Sequence, residues 1–459
     1  MKTSLQILLL VEIFVSFFLI IPINFNHTTG NSNNHSEYDV EIILNNDDLE
    51  LSKISEKIHI INNSGWTDFR SAGNCTGNGT YSDPYVIEDL VIDGSGSGSC
   101  IWIENSTVYF KIENCSLCNS GTEDDDAGIK LNNTLNGKIS DTTINSTNRG
   151  IYLINSNNLT IAGNHVNTSY IGIQFSKCKN NTISENNITA SSLAIRLGYS
   201  ENIIVLRNNV SNNNYGILVS YSKNNLVSEN IADNKLEGIG ISYSNNTKVT
   251  QNIANYNAKY GIGLISSFNN IITGNTVNYN EFYGIFLTFS SHNNLISGNI
   301  AKNNDFSGIR ISKSNYNNVT GNTANFNDDC GILLSNSDNN NVSRNTANNN
   351  FLAGIELMES NYNILSGNTV NNNSKYGIYL YRSNFNNVSG NILIENKDKC
   401  IYERDCQGNT FSNNESCPYG QDNGIIPGYN LYLLLGILSA IALLIRNKLK
   451  TLINGIFNA

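Results

Sequence analysis

The chain has 459 residues, with 28 Lys and Arg against 38 Asp and Glu and a formal net charge of −10. Nucleic-acid binding depends on clustered positive charge, so this balance argues against a nucleic-acid partner. A chain of this length normally suggests two or three domains, unless repeated units stack into one.

The N-terminal segment has the pattern of a secreted protein. Lys2 precedes an apolar run from Ile7 to Ile21, which Glu12 interrupts, and a polar stretch follows from Asn24. The pattern predicts a signal peptide over residues 1–25, although no Ala-x-Ala cleavage site is visible. Residues 26–84 are then expected to form a variable segment and an N-terminal cap.

Two ladders of residues recur in phase through most of the chain, at intervals of 22 to 24 residues. In the first ladder every position is followed by Ile: Gly128, Gly150, Gly172, Ala194, Gly216, Gly238, Gly261, Gly284, Gly308, Gly331, Gly354 and Gly377. The second ladder is Asn164, Asn186, Asn208, Asn230, Asn252, Asn275, Asn299, Asn322, Asn345, Asn368, Asn391 and Asn414. Two ladders locked in phase predict a solenoid.

The residues within one period predict strands and turns. In the coil that begins at Gly308, Ile309 and Ile311 alternate with an outward Arg310. This period-2 pattern is typical of short strands, and no period offers the helical spacing of leucine-rich or ankyrin repeats.

Repeated polar residues should stack on their own copies, because neighbouring coils lie about 4.8 Å apart. We expect Asn299 and Asn322 to be buried column members, and Asn303 and Asn304 to lie on a turn. A third column is predicted six residues after the Gly ladder, with Cys178 as a small buried substitute: Ser156, Ser200, Ser222, Ser244, Ser267, Ser290, Ser314, Ser337, Ser360 and Ser383.

The repeats resemble those of the NosD-like and carbohydrate-binding/sugar-hydrolase parallel β-helix families. The matching text is of the type "NNLISGNIAKNNDFSGIRISKS", residues 293–314, and recurs over residues 128–416. The resemblance implies an all-β, right-handed parallel β-helix. Copper handling, which the NosD name implies, finds no support in the sequence, because the five histidines are scattered and form no column.

Irregular coils extend the predicted solenoid toward the N-terminus. Cys100 with Ile101 fills a Gly-Ile position, Cys115 fills an Asn position, and residues 86–92 are expected to form the first rung. The predicted β-helix therefore covers residues 85–416 and has about fourteen coils, or roughly 65 Å at the spacing of parallel strands.

The nine cysteines concentrate where the solenoid is irregular. We expect disulfides to staple the two caps, with Cys178 or Cys330 left free. Metal binding or redox work by Cys115 and Cys118 is the alternative. The cap cysteines are Cys75, Cys100, Cys115 and Cys118 at one end and Cys400, Cys406 and Cys417 at the other.

Acidic and aromatic residues gather on consecutive coils and predict the main site. Glu281, Asp305 and Asp328 each lie three residues before the Gly ladder. Stacked carboxylates favour a hard cation, and aromatic rings favour sugar, so we expect a Ca²⁺ or glycan site there. The alternative is a set of ordinary turn residues in solvent. The other predicted members are Asp329, Arg310, Tyr260, Phe282, Tyr283, Phe286 and Phe306.

A second acidic run, Glu123 to Asp126, lies in a coil six residues longer than its neighbours. Asp124, Asp125 and Asp126 are the candidate ligands of a surface Ca²⁺ loop there. A solvated turn is again the alternative.

The C-terminal segment has the pattern of an anchor. Residues 417–428 form a linker, 429–446 a predicted transmembrane helix, and 447–459 a cytoplasmic tail that continues the basic cluster at Arg446, Lys448 and Lys450. The text "PGYNLYLLLGILSAIALLIRNKLK" also resembles archaeal C-terminal sorting signals, which implies an anchor that is cut and exchanged for lipid. Both alternatives put the β-helix on the cell surface, where sequons such as Asn74, Asn78, Asn105 and Asn387 are available for glycans.

Together these features predict a surface-anchored β-helix that binds an extracellular polysaccharide or forms a structural or adhesive element, with surface-layer proteins as further partners. Ca²⁺ is the one cofactor to consider. A polysaccharide lyase or glycoside hydrolase is the first alternative, and an accessory protein for metalloenzyme maturation is the second.

Overall fold

A computed structural model describes residues 53–415. This part of the chain is an all-β, right-handed solenoid of about fourteen turns, which confirms the predicted fold. The predicted signal peptide and the predicted C-terminal helix lie outside the described residues. Within residues 53–415, no helix combines the length and the apolar composition needed to cross a membrane.

The larger of two parallel sheets, called sheet A, contains 19 strands. Its strands are Lys53–Ser55, Ile58–Ile61, Leu90–Asp93, Ile101–Glu104, Ser116–Cys118, Ala127–Asn132, Thr143–Ile154, His165–Ser176, Asn187–Thr189, Leu193–Gly198, Tyr215–Ser220, Glu237–Ser242, Tyr260–Ile265, Tyr283–Thr288, Ile309–Ser312, Cys330–Ser335, Ala353–Met358, Tyr376–Tyr381 and Lys399–Arg404.

Sheet B contains 15 shorter strands. They are Tyr85–Glu88, Phe110–Glu113, Gly137–Ser140, Thr160–Ala162, Thr182–Ser184, Ile204–Leu206, Leu226–Ser228, Lys248–Thr250, Ile271–Thr273, Leu295–Ser297, Asn318–Thr320, Asn341–Ser343, Ile364–Ser366, Asn387–Ser389 and Thr410–Ser412. Single bridges between successive coils, such as that of Thr323 with Thr346, continue a third face of the solenoid.

The Gly-Ile ladder forms the inner side of sheet A. Ile309 pairs in register with Ile332, both are fully buried, and Arg310 between Ile309 and Ile311 lies on the opposite side of the strand. Glycine is required beside this core, because a Cβ at Gly331 would lie 2.7 Å from the carbonyl oxygens of Ala324 and Gly354. The first ladder therefore reflects close packing of coil on coil.

The predicted Asn column is confirmed as a buried hydrogen-bond ladder. Asn322 is 1% exposed, and its Nδ2 donates to Asn345 Oδ1 at 3.0 Å and to the carbonyl oxygen of Ile296 at 2.9 Å. Asn299 donates to Asn322 in the same way. Each amide thus satisfies backbone groups that the tight turn would otherwise leave unpaired.

The expectation that Asn304 lies on an exposed turn is wrong. Asn303 does lie at a corner, with φ of 55°, but Asn304 is fully buried and its Nδ2 donates to Asn327 Oδ1 at 3.0 Å. Asn304 belongs to a second amide column: Asn257, Asn280, Asn304, Asn327, Asn350, Asn373 and Asn396. Further columns of this kind include Asn294, Asn317 and Asn340.

The Ser column is confirmed except in one coil. Cys178 occupies its predicted place in the column, because its backbone N–H donates to the Oγ of the next member, Ser200, at 3.2 Å. Ser290, however, is displaced by an extra residue in its turn, and Ser291 takes the column position between Ser267 and Ser314.

The solenoid begins earlier than the predicted rung at 86–92. Strand Lys53–Ser55 pairs with Leu90–Asp93, and strand Ile58–Ile61 pairs with Ile101–Glu104. A helix, Asn62–Ser71, follows these strands. Its fully buried Trp66 packs on Tyr85 and Phe110 and so covers apolar surface at the first coils.

The predicted disulfide staple of the N-terminal cap is wrong. Cys75, Cys100, Cys115 and Cys118 are free thiols, as are Cys178, Cys330 and Cys406. Cys100 and Cys115 instead act as small apolar residues of the core, which is a common role for a buried thiol. Cys400 is disulfide-bonded, and Cys417 lies outside the described residues.

Candidate functional site

The outer side of sheet A carries columns of side chains that differ from coil to coil. One column, here called the outer column, is fixed by the strand register and includes Trp102, Lys130, Tyr152, Gln174, Arg196, Leu218, Gly240, Gly263, Phe286, Arg310, Leu333, Glu356, Tyr379 and Tyr402. Because alternate residues of a strand face opposite sides, this column points away from the Ile core. Its chemistry is therefore not dictated by the stacking that fixes the interior.

The predicted acidic column lies at the corner that leads into these strands. The backbone N–H groups of Asp305 and Asp328 donate to the carbonyl oxygens of Asn280 and Asn304, each at 3.0 Å, and Glu281 occupies the same position one coil earlier. All three acids are exposed. The structure thus confirms that they share one position, and it places them at the solvent-facing edge of sheet A.

The predicted aromatic residues form one compact group on the outer side of sheet A. Tyr260, Tyr283 and Phe286 are each no more than 6% exposed, with ring centroids 4.9 to 6.0 Å apart. Phe306 stacks on Phe282 at 5.2 Å. We call these five residues the aromatic cluster.

Arg310 lies against the aromatic cluster. Its guanidinium carbon is 5.1 Å from the centre of the Tyr283 ring, and its Nη1 donates a hydrogen bond to the Tyr283 hydroxyl. The side chain is only 5% exposed. The prediction that Arg310 points outward is thus confirmed, and its guanidinium packs on the face of an aromatic ring.

Two carboxyl groups lie on the next coils, and both interact with the Cys330 thiol. Ser307 Oγ donates to Asp329 Oδ2 at 3.0 Å, and the Cys330 thiol donates to Glu356 Oε2 at 3.1 Å. Burial raises the pKa of Asp329, which hydrogen bonds from Ser307 and Cys330 and the charge of Arg310 oppose. Burial also raises the pKa of Glu356 to about 7, and the nearby Asp329 charge adds to that rise.

We call Ser307, Arg310, Asp329, Cys330 and Glu356 the acid-pair site. Sequence reasoning found Arg310 and Asp329 but missed the other three. The signal for Glu356 was present, because a charged residue directly after a Gly-Ile step occupies a strand position. Tyr376 and Tyr379 border the site and pack on the cluster of Cys330, Leu333 and Ala353.

A further acid missed by the sequence reasoning is Glu237, which lies in the same face beside two glycines. A Cβ at Gly240 or Gly263 would come within 2.8 or 2.7 Å of Glu237 Oε1, so the glycines make room for this carboxyl group. Burial raises its pKa to about 7, which the charge of Lys259 opposes. The outer face thus holds acids with raised pKa values at two places.

The second predicted acidic run does not close into a cation site. Asp125 forms an ion pair with Lys130 at 3.5 Å, and Asp126 Oδ2 accepts a hydrogen bond from the backbone N–H of Glu123 at 3.2 Å. Asp124 is exposed. These acids are therefore partly neutralised by the protein itself.

No group of three or more His, Cys, Asp or Glu residues within 53–415 is arranged to hold a metal ion. His59 stacks on Trp102 at 4.1 Å, and His292 Nδ1 accepts a hydrogen bond from the backbone of Asn315. These side chains already have protein partners and lie on distant coils. The described residues consequently do not fit a copper site.

Several solved structures share this fold. The A-module of the mannuronan C-5 epimerase AlgE6 from Azotobacter vinelandii is 15% identical, with a TM-score of 0.51 over 71% of this chain and 92% of that chain. The DFA-IIIase from Arthrobacter chlorophenolicus A6 in complex with GF2 is 14% identical, with a TM-score of 0.44 over 66% and 88%. The Dettilon tailspike protein is 14% identical, with a TM-score of 0.46 over 67% and 62%. Of these, only the epimerase module, with a TM-score of 0.51, supports the fold, and at 15% identity it shows the fold alone.

Family models agree with the architecture, whereas no curated protein matches the sequence. The model of the right-handed β-helix region matches residues 272–416. The model described as periplasmic copper-binding protein (NosD) matches residues 26–226, 109–281 and 194–327, which together span more than half of the chain. The chain therefore belongs to the NosD family of right-handed β-helix proteins.

Proposed function

We propose that the outer face of sheet A binds a polysaccharide and that Asp329 and Glu356 cleave one of its glycosidic bonds by acid–base catalysis. One observation carries the proposal: a buried carboxyl group, Glu356, and a half-buried one, Asp329, lie on adjacent coils and both interact with the Cys330 thiol, beside the buried cation of Arg310. The carboxyl group is particular to this coil, because the outer column carries Leu333 on the coil before Glu356 and Tyr379 on the coil after it.

The two acids differ in the way that glycoside hydrolysis needs. One carboxyl group must carry a proton for the leaving oxygen, and the other must be ionised to attack the sugar or to activate water. Glu356, with a pKa of about 7, holds a proton near neutral pH. Asp329 is better placed to ionise, because Ser307, Cys330 and Arg310 all favour its charged form.

The proposed step balances as a hydrolysis. The bond between the anomeric carbon and the leaving oxygen breaks, and the Glu356 proton moves to that oxygen. Water supplies the new hydroxyl group at the anomeric carbon, and its other proton passes to Asp329 when Asp329 is the base, or to Glu356 when Asp329 is the nucleophile. Asp329 acts on the opposite side, either as the nucleophile or as the base for water, and Glu356 is the acid in both routes.

The surroundings suit a sugar chain. Tyr376 and Tyr379 are half-buried beside the acid-pair site, and Tyr402 stacks on both at about 5 Å. Aromatic faces of this kind pack well on the apolar face of a pyranose ring. By its name, the mannuronan epimerase that shares the fold acts on mannuronan, which is compatible with a glycan along such a surface.

Release of reducing ends from a panel of polysaccharides, measured with the purified full chain, tests the proposal. We expect Asp329→Asn and Glu356→Gln each to reduce the rate by a factor of about 10² or more, as loss of a general acid or base does. Asp328→Asn is the matched control, because Asp328 is the exposed neighbour of Asp329 and should leave the rate unchanged.

Binding without turnover is the second candidate function. It is favoured by the aromatic cluster, which extends the apolar surface of sheet A beyond the acid-pair site. Glycan binding that is equal in the wild type and in Glu356→Gln, with no cleavage in either, would support it and refute the hydrolase. No binding to any glycan would refute both.

Surface display completes the proposed function. The family name is that of a periplasmic protein, and the chain's own candidate signal and anchor segments lie outside the described residues. If the chain is displayed on the cell surface as proposed, protease added to intact cells should cut the β-helix or release it. Protection until the cells are lysed would contradict an exposed location.

A further inference from the structure

The far end of the outer column, on the N-terminal coils, carries cations and aromatic rings. Trp102, Lys130, Tyr152 and Gln174 are consecutive members of that column. Arg149 lies beside them, at the position that pairs with Ala127 and Ile171 on the neighbouring coils. This region is separated from the acid-pair site by several coils and shares no residue with it.

Arg149 is held in place but is not neutralised. Its Nε donates to Gln174 Oε1 at 2.8 Å, and the side chain is only 7% exposed. Its guanidinium carbon lies 5.2 Å from the centre of the Tyr152 ring and 5.3 Å from that of Tyr170. Among residues 53–415, Nη1 of Arg149 has no hydrogen-bond partner although it is buried.

Such a group is expensive to bury. A guanidinium that has lost its water without gaining a counter-ion destabilises the folded state, and a bound anion offsets that loss. Neighbouring charges do not supply that anion. Asp125 is the nearby acid, but it is largely exposed and already forms an ion pair with Lys130 at 3.5 Å.

Lys130 adds to the positive character of this end. Its ammonium nitrogen lies 4.7 Å above the Trp102 ring, and the side chain is 8% exposed. Arg196 follows Gln174 in the outer column and acts electrostatically on Tyr152 together with Arg149. Arg149, Lys130 and Arg196 thus bring three cations to this end of sheet A, of which Lys130 pairs with Asp125.

We propose that Arg149, Lys130, Trp102, Tyr152, Tyr170 and Gln174 form a subsite for an acidic sugar, so that the polysaccharide is a polyuronate. The inference rests on the proposed function and names its substrate class. Gln174 already accepts the hydrogen bond from Nε of Arg149, so the two Nη groups remain to bind a carboxylate. A carboxylate is planar, and its two oxygens match the two Nη donors. The aromatic rings supply a face for the sugar itself.

Calorimetry with three oligosaccharide probes tests the subsite: an oligogalacturonate, a neutral galactan fragment and a sulfated galactan fragment. We expect the full chain to bind the oligogalacturonate most tightly. Arg149→Met should weaken that binding at least about tenfold, as loss of a charged hydrogen-bond partner does, and should reduce its dependence on salt. Arg207→Gln is the control, because it removes one exposed cation that pairs with Glu185 at 2.8 Å elsewhere on the surface.

Thermal unfolding of the ligand-free variants separates a binding role from a structural one. Because Arg149→Met removes an uncompensated buried charge and keeps most of the volume, we expect its melting temperature to equal or exceed that of the wild type. A clear fall in melting temperature together with unchanged oligogalacturonate affinity would show that Arg149 only supports the fold.

The outcomes also separate this inference from the proposed function. Cleavage or binding of neutral glycans with no preference for the uronate would overturn the subsite and leave the hydrolase standing. Preference for the sulfated probe over the uronate would overturn the carboxylate assignment. Failure of all three probes, with no cleavage, would remove both proposals.

Discussion

The interior of the solenoid and the outer face of sheet A follow opposite rules. Inside, Asn299, Asn322 and Asn345 make the same hydrogen bonds on successive coils. On the outer face, the residue at one register position changes from Phe286 to Arg310 between one coil and the next. Stacking requires identity in the interior but leaves the outer positions free, so a buried charge on the outer face is chemistry that the fold does not need.

The largest effect that we expect on stability comes from an outer-face acid. Burial raises the folded-state pKa of Glu356 to about 7 from an ordinary value of 4.5, so the unfolded chain ionises first as the pH rises. The free energy of unfolding therefore falls as the pH rises between these two pKa values, by on the order of 3 kcal/mol in total. Glu356→Gln should escape this loss: it should match the wild type near about pH 4 and exceed it by that amount above about pH 8.

Urea unfolding across this pH range measures the difference. Glu359→Gln is the control, because Glu359 is exposed and pairs with Arg382 at 3.5 Å on the surface. A Glu356→Gln variant that gains no stability at high pH would show that this carboxyl group is solvated, and it would weaken the contrast between the two regions.

An intermediate effect is expected from the interior columns. Asn322→Ala and Asn327→Ala each leave a neighbouring amide without its partner and should cost about 1 to 3 kcal/mol. The two residues belong to different columns, of which only the first was anticipated. Equal costs would show that both columns stabilise the stack in the same way.

Asn318→Ala is the matched control for these two changes, because Asn318 is exposed and makes one surface hydrogen bond, with Asn341. It should change the free energy of unfolding by no more than about 0.5 kcal/mol. If Asn327→Ala costs no more than this control, the second column does not contribute to stability.

The sequence predicts the interior far better than the outer face, and the reason is physical. A residue such as Asn322 repeats because each coil must pair with the next, so its period reveals its place. Asn304 was misjudged because Asn is equally common at corners, where it tolerates a positive φ, and in buried columns. The 23-residue spacing from Asn304 to Asn327 was the signal that distinguishes them.

The candidate site was only half predictable for a related reason. Arg310 and Asp329 belong to the coils that carry the predicted acidic and aromatic residues, whereas Glu356 lies one coil further on, outside that local group. Contacts between neighbouring coils of unequal length, such as that of Trp102 with Lys130, follow from the register between two irregular coils. Irregular spacing hides that register until the coils are aligned in three dimensions.

The smallest effect that we expect concerns calcium at the exposed corner. Glu281, Asp305 and Asp328 share one position on successive coils, but they form no ready-made metal site and solvent reaches all three, so Ca²⁺ would keep much of its water and bind at best at about 10⁻⁴ to 10⁻³ M. Millimolar Ca²⁺ should then raise the melting temperature by no more than a few degrees, because stabilisation grows only with the logarithm of ligand concentration. Asp305→Ala combined with Asp328→Ala should abolish that rise, whereas Asp124→Ala, on a different coil, should leave it intact. A melting temperature that does not respond to Ca²⁺ in the wild type would refute the calcium hypothesis, and the acid-pair site would be unaffected because it uses none of these three carboxylates.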